Sequence, residues 1–181
     1  MRAMGNKYRG IPSLMHHTER AFFLECCKTA PPGDAVDLGA YRGASSAMIC
    51  DVRGDSRVYT VDNWSRRKAG GTSMKDVASR LGGLGHKTHL LSQNSFDPPP
   101  DGIQTAILSV DTDHRGVILA QEMEAWGPTL IHGAVVLLHD CHEKDYPCLY
   151  EEIERRFVGD EWELIGQAKS LRAYRFIGGE K

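Results

Sequence analysis

The stretch Ala35–Asp51, "AVDLGAYRGASSAMICD", begins with the pattern of a strand and finishes with that of a helix. Ala35 to Leu38 is a short apolar run interrupted by Asp37, and Ala44 to Val52 carries apolar residues at helical spacing. The turn between them holds Gly39 and Gly43, with Ser45 and Ser46 just beyond, where a plain connection needs one glycine. Glycine removes side chains that would keep backbone amides from a ligand, and a helix N-terminus offers unpaired N–H groups. The two serines add hydroxyl donors. A carboxylate at Asp37 suits a cationic or donor-rich ligand better than a diphosphate. The dinucleotide fingerprint G-x-G-x-x-G is also missing, since Ala40-Tyr41 follow Gly39 and the next glycine is Gly43. Both points argue against a nicotinamide-binding enzyme. A turn under an ordinary helix would show the same two glycines.

Outward from this turn, strands and helices alternate. Thr18 to Ala30 ("TERAFFLECCKTA") reads as an amphipathic helix with Thr18 as its cap, ended by Pro31-Pro32-Gly33. Strand patterns follow at Arg57–Val61, His86–Leu91, Ile103–Val110 and Gly133–Leu138, with helices at Thr72–Leu84, Val117–Leu130 and Cys148–Phe157 between or after them. "WELIG" and "LRAYRFI" close the chain as a strand pair with no helix between them. Strands apolar on both faces indicate a parallel sheet covered by helices, here doubly wound with an antiparallel edge. Ligands of such a sheet lie over the carboxyl ends of the strands.

Composition sets limits on partners and compartment. With 181 residues the chain is long enough for one domain with a substantial core. It is 25% charged with a formal net charge of -2, so no basic excess points to nucleic acid. Apolar runs such as "AVVLL" are too short to cross a bilayer, and "MRAMGNKYRGIPSLMHH" lacks the apolar core of a signal peptide. Five scattered cysteines form no zinc pattern and read as reduced thiols of a cytoplasmic protein.

"VYTVDNW" ends its strand on Asp62, about twenty residues past the glycine turn, where a carboxylate can accept from both hydroxyls of a ribose. A turn cap is the plainer reading. Two further strand ends carry polar clusters: Asp111, Asp113 and His114 in "SVDTDHRG", and His139, Asp140 and His142 in "LLHDCHEKD". Asp and His together ligate divalent cations, and adjacent strand tips share one rim, so the clusters can converge. A cation stabilises a developing alkoxide, and a nearby His can act as general base. Against this, Asp111 and Asp113 would also serve as caps for the helix near Arg115, His139 as a hydrogen-bonded strand end, and His142 as a loop residue.

In order, "AVDLGAYRGASS", "VYTVDNW", "ILSVDTDHRGV" and "GAVVLLHDCH" resemble the class I S-adenosylmethionine-dependent methyltransferases, and within them the small-molecule, sugar-type O-methyltransferases. The likeness runs from about residue 11 to 157. It implies an α/β, Rossmann-like methyltransferase fold: a doubly wound, mainly parallel seven-stranded sheet with an antiparallel C-terminal hairpin. Residues 1–17 would form a cover segment and 18–181 a single methyltransferase domain. The resemblance further implies that Asp37, Gly39, Ala40, Tyr41, Gly43 and Ser45 pass beneath the methionine part of S-adenosylmethionine. Asp62 and Asn63 would meet the ribose, with Asn94 and Ser95 near adenine and Asp111 close to the methyl donor. Asp111, His139 and Asp140 would bind Mg2+ or another divalent cation, His139 departing from the carboxylate that sugar-modifying relatives often carry. His114 would be the base, with His142 a competitor. The expected partner is a small hydroxylated substrate, with no nucleic acid and no membrane. The short cover and the loop Ser65–Gly71 would shape its pocket, leaving room for a second subunit in a homodimer. A cofactor-binding module without catalysis is the other reading of the same residues. Cys141, beside Asp140, is placed to touch a metal or simply to pack.

Overall fold

The computed structural model describes residues 7–54, 56–65 and 72–178. Apolar residues on both faces of the central strands decide the architecture. β3 (Asp34–Leu38), β4 (Val58–Asp62), β5 (Thr88–Ser92), β6 (Thr105–Val110) and β7 (Leu130–Leu138) are all parallel. With the antiparallel hairpin β8 (Trp162–Ala168) and β9 (Leu171–Phe176) they form a seven-stranded sheet in the order β5-β4-β3-β6-β7-β9-β8. Before them, β1 (Lys7–Tyr8) and β2 (Ile11–Pro12) make a separate small hairpin.

The alternation of each central strand divides the core in two. Val36, Leu38, Leu108, Val136 and Leu138 face helices α4 (Gly116–Trp126) and α5 (Pro147–Arg156), packing with Leu119, Trp126 and Ile153. Ala35, Ile107, Val135 and Leu137 face the other way, onto Phe23 and Cys27 of α1 (His17–Thr29) and Met48 and Ile49 of α2 (Ala44–Arg53). Period-two burial on both faces is what a parallel sheet between helical layers requires. A third cluster closes α3 (Met74–Gly83) onto α2 through Ala44, Ala47, Val77 and Leu81.

The expected order of elements is present, and the differences lie at their ends. Thr18 does not cap α1: His16 occupies that position, its ring accepting from Thr18 N while Glu19 reaches back to His16 N at 2.7 Å. The fourth helix stops at Trp126 rather than Leu130, because Pro128 brings no N–H and a 3-10 turn over Gly127–Thr129 takes its place. That turn delivers the chain directly into β7, which starts at Leu130, opposite Thr105, and bulges around Gly133 before the regular pairing of Val135 with Ile107. β5 begins at Thr88 rather than His86, since His86 N still bonds to Leu81 O at the end of α3.

The loop expected to shape the acceptor pocket, Ser65–Gly71, lies outside the described residues except for Ser65, as do residues 1–6 of the expected cover. No described helix is long and apolar enough to cross a membrane.

Candidate active site

Strand register brings the polar tips together. Leu38 is paired with Val61 on one side and Val110 on the other, and Val110 with Leu138. The residues that follow those tips are Gly39, Asp62, Asp111 and His139. Their backbones continue the ladder: Gly39 N donates to Val61 O at 2.9 Å, Asp111 N to Leu38 O at 3.0 Å and His139 N to Val110 O at 3.0 Å. The chain reverses direction of winding at β3, between β4 and β6, which is where a doubly wound sheet opens a crevice. A cleft of about 630 Å³ lies there, lined by Gly39, Ala40, Tyr41, Ser45, Asp62, Asn63, Asn94, Ser95, Asp111 and His114, among others.

Both glycines stand in close protein packing at this turn. A Cβ on Gly39 would stand 2.0 Å from the carbonyl oxygen of Asp111, and its φ is +82°. Gly43, also in the left-handed region, is buried, and a Cβ there would meet Val77 Cγ1 at 2.9 Å. Gly39 keeps a place in the cleft wall, whereas Gly43 stands behind it. Asp37 is corrected in the same sense. It has no exposed surface, lies outside the cleft lining, and its Oδ2 accepts from Ser45 Oγ at 2.7 Å and Ser46 Oγ at 2.5 Å. Burial raises its pKa despite those hydroxyls. Asp37 therefore ties the first turn of α2 to β3, and the two serines spend donors on it that were expected for a ligand.

Asp62 caps the strand-end turns, as the plainer reading had it, and also borders the cleft. Its Oδ2 accepts from Tyr41 N at 3.0 Å and its Oδ1 from Trp64 N at 2.7 Å, joining the two strand-end turns. It remains half-buried in the cleft wall, and each carboxylate oxygen keeps a further lone pair for a ligand hydroxyl. Tyr41 and Trp64 have φ of +49° and +53°. These are left-handed values that bulky residues adopt only where their surroundings hold them. Asn63 Nδ2 donates to Asn94 Oδ1 at 3.2 Å, linking the tips of β4 and β5. Beside them Ser95 O accepts from Trp126 Nε1 at 2.6 Å, and Phe96 lies on the cleft wall.

The chemical cluster is compact. Asp111, His139 and Asp140 each offer a ligand atom within 4.8 Å of the others. His139 Nδ1 is 3.6 Å from Asp111 Oδ2 and 3.5 Å from Asp140 Oδ2, while its Nε2 is 3.6 Å from Glu19 Oε2. The ring is buried and, among the described residues, neither nitrogen has a hydrogen-bond partner. Burial works against charging it, but the carboxylates of Asp111, Asp140 and Glu19 outweigh that and push its pKa up to about 12. An imidazolium and a divalent cation are alternative ways of neutralising three converging carboxylates, and the cation requires the neutral ring. Two carboxylates and an imidazole that makes no hydrogen bond fit such a cation.

His114 Nε2 lies 3.4 Å from Asp140 Oδ2, its ring tilted against Tyr146, and it lines the cleft. Asp111 and Asp113 do not cap α4: Arg115 is the N-cap without a side-chain bond, and Asp113 forms a two-pronged pair with the Arg115 guanidinium, both contacts 2.9 Å. His142 is exposed in a turn and absent from the cleft lining. The Cys141 thiol donates to Leu138 O at 3.2 Å, so it packs rather than facing the cluster.

Glu19 and Glu122 are buried carboxyls behind the strand tips that the sequence reading did not single out. Glu19 accepts from Ser170 N, Ser170 Oγ and His16 N. Glu122, fully buried on α4, accepts from Thr112 Oγ1 at 2.6 Å, and burial raises its pKa to about 7 against the pull of Ser95 and Thr112. The one signal for Glu19, its position three residues after the cap, depends on His16, whereas the sequence pattern points to Thr18 as the cap. Glu122 carried none, since helical spacing alone cannot tell a buried glutamate from a solvated one.

A family profile described as "Methyltransferase domain" matches residues 36–141, more than half of the chain and all four strand tips. The chain belongs to this methyltransferase family. Solved structures share the fold of this methyltransferase. The O-methyltransferase NovP superposes with a TM-score of 0.73 at 16% identity, covering 92% of this chain and 82% of that one. CalS11, a TDP-rhamnose 3'-O-methyltransferase of calicheamicin biosynthesis, gives 0.67 at 14%, covering 90% and 82%. SMU.1697c from Streptococcus mutans, solved in complex with SAH, gives 0.65 at 10%, covering 90% and 100%. The fold is equally that of an rRNA methylase from Streptococcus thermophilus. No curated protein sequence matches this chain significantly.

Proposed function

We propose that this methyltransferase transfers a methyl group from S-adenosylmethionine to a hydroxyl of a small molecule, with a divalent cation held by Asp111, His139 and Asp140. The observation that carries the reading is the common edge on which Gly39, Asp62, Asp111 and His114 border one cleft while Asp140 reaches both His114 and His139. The methyl donor supplies an electrophilic sulfonium carbon, and the cation supplies Lewis acidity that steadies the acceptor oxygen as it loses its proton.

The protein's own groups have separable tasks. Asp62 accepts from the ribose hydroxyls while holding the Tyr41 and Trp64 turns. Gly39 lets the backbone of β3 approach both Asp111 and the ligand. His114 takes the acceptor's proton, and the Asp140 carboxylate, 3.4 Å from its Nε2, stabilises the imidazolium that results. The segment Pro12–Met15, which follows β2 and lines the cleft, narrows its mouth as a cover would. O-methylation in NovP and CalS11 supports the acceptor class, and SAH in SMU.1697c supports the donor. The net charge of -2 favours a small molecule over RNA.

A methylation assay on a panel of hydroxylated metabolites, with and without chelator, tests the reading. Turnover that stops on chelation and returns with added divalent cation is expected. Turnover indifferent to chelator would remove the metal while keeping methyl transfer. His114→Ala should lower kcat by 100-fold or more, on the order of what a general base contributes, with cofactor affinity unchanged.

A further inference from the structure

Glu19 is pinned in an unusual way for a glutamate in the first turn of a helix. It is 3% exposed, its Oε1 accepts from Ser170 N at 3.0 Å and Ser170 Oγ at 2.6 Å, and its Oε2 accepts from His16 N at 2.7 Å. Three donors from two segments far apart in sequence fix the carboxylate so that Oε2 also faces His139 Nε2 at 3.6 Å. On the far side of the same ring, Nδ1 points between Asp111 Oδ2 and Asp140 Oδ2. His139 is 8% exposed and, among the described residues, neither nitrogen makes a hydrogen bond, so the carboxylates facing the ring are Glu19 at Nε2 and Asp111 and Asp140 at Nδ1.

We propose that Glu19 is a positioning residue that keeps the His139 ring proton on Nε2 and thereby turns the Nδ1 lone pair toward the cation place between Asp111 and Asp140. The inference rests on the metal assignment made above and deepens it. A carboxylate can only accept, so it admits N–H at Nε2 and repels a lone pair there. Outer carboxylates of this kind orient ligating histidines and raise their basicity. The consequence is a centre of one nitrogen and two oxygens, which suits a borderline first-row ion such as Mn2+, Co2+ or Zn2+ better than Mg2+ or Ca2+, whose preference is for oxygen alone. Glu19 also joins α1, directly behind the cleft-lining Pro12–Met15 segment, to the reacting edge.

Mn2+ titrated into the full chain provides the test, read by calorimetry and by electron spin echo detection of nitrogen coupling to the bound ion. The expected result is coupling to one imidazole nitrogen in the wild type. Glu19→Gln should weaken Mn2+ by about 10–100-fold and diminish that coupling. In a His139→Asp background the ligand has no tautomer to select, so Glu19→Gln should change Mn2+ affinity by less than about twofold. Should Glu19→Gln fail to fold, Ser170→Ala loosens the same carboxylate without touching a ligand, and its weakening of Mn2+ should likewise vanish with His139→Asp. Bound Mn2+ without nitrogen coupling would overturn both the role of Glu19 and His139 as a ligand, whereas an equal loss in both backgrounds would overturn the role of Glu19 and leave the metal assignment standing. No Mn2+ binding at millimolar concentration would overturn both, while S-adenosylhomocysteine binding in the same sample would show that methyl transfer survives as a reading.

Discussion

Individual carboxylates along the cleft differ more in what they hold than in where they lie in sequence. Asp62 serves two backbone amides and presents its free lone pairs to the cleft, so Asp62→Ala should weaken S-adenosylhomocysteine by about 1–3 kcal/mol, roughly 5- to 150-fold. An unchanged dissociation constant by calorimetry would show that no ribose meets it. Asp37, three residues before Ala40, is occupied by Ser45 and Ser46 and should affect stability first and binding second. Glu122 gives a pH signature. Its pKa is raised by burial to about 7, so between about 4.5 and 7 the folded chain binds the proton that the unfolded chain has released. The stability it contributes is complete below about pH 4.5, falls as pH rises to about 7, and is then lost. Glu122→Gln, which keeps an acceptor for Thr112, should be more stable than the wild type at pH 8 by about 2 kcal/mol and indistinguishable at pH 4.5. Urea titrations at the two pH values measure the difference, and an equal effect at both would show that Glu122 is charged throughout.

At the scale of elements, the turn between β3 and α2 fixes the edge on which the other tips align. Gly39→Ala would drive a methyl group into the Asp111 carbonyl at a left-handed φ, and should cost on the order of 2–4 kcal/mol with loss of cofactor binding. Thermal unfolding with and without S-adenosylhomocysteine would measure both losses, and a variant as stable as the wild type would mean that the β3 and β6 tips are not in contact. The layering of this fold could be read from sequence because the runs "AVDL", "AILSV" and "AVVLL" bury both faces, a property that periodicity reports directly. Asp62, Asp111, His114 and Asp140 were legible for the same reason: a strand end declares its neighbours on the rim once the sheet is known to be parallel. What periodicity could not report was the direction of a side chain beyond its strand. Asp37 turns under the helix, Gly39 makes room for the Asp111 backbone and Gly43 for the Val77 side chain, and Glu19 reaches toward His139 across 120 residues of chain. The capping by His16 was hidden because histidine is an uncommon cap, and the early end of α4 was visible only in Pro128.

For the whole molecule, two helical layers leave little thiol at the surface. Cys26, Cys27, Cys50 and Cys141 are buried, burial raising the pKa of all four, and Cys148 alone is exposed. An aromatic disulfide reagent should therefore titrate one thiol in the native chain and five in denaturant, and faster reaction of a second would mean that a core layer opens. The N-terminal hairpin is docked on α2 by Tyr8 and Arg9, both of which bond to Asp51. The Pro12–Met15 segment that follows lines the cleft. Methyl transfer in this chain requires one cleft to accept the cofactor beside Asp62 and the acceptor beside Asp111 and His114. Calorimetric titration of S-adenosylhomocysteine into the wild type and Asp62→Ala tests this most directly. One site per chain, weakened about 5- to 150-fold in the variant, is predicted; no heat of binding at millimolar ligand in the wild type would contradict it.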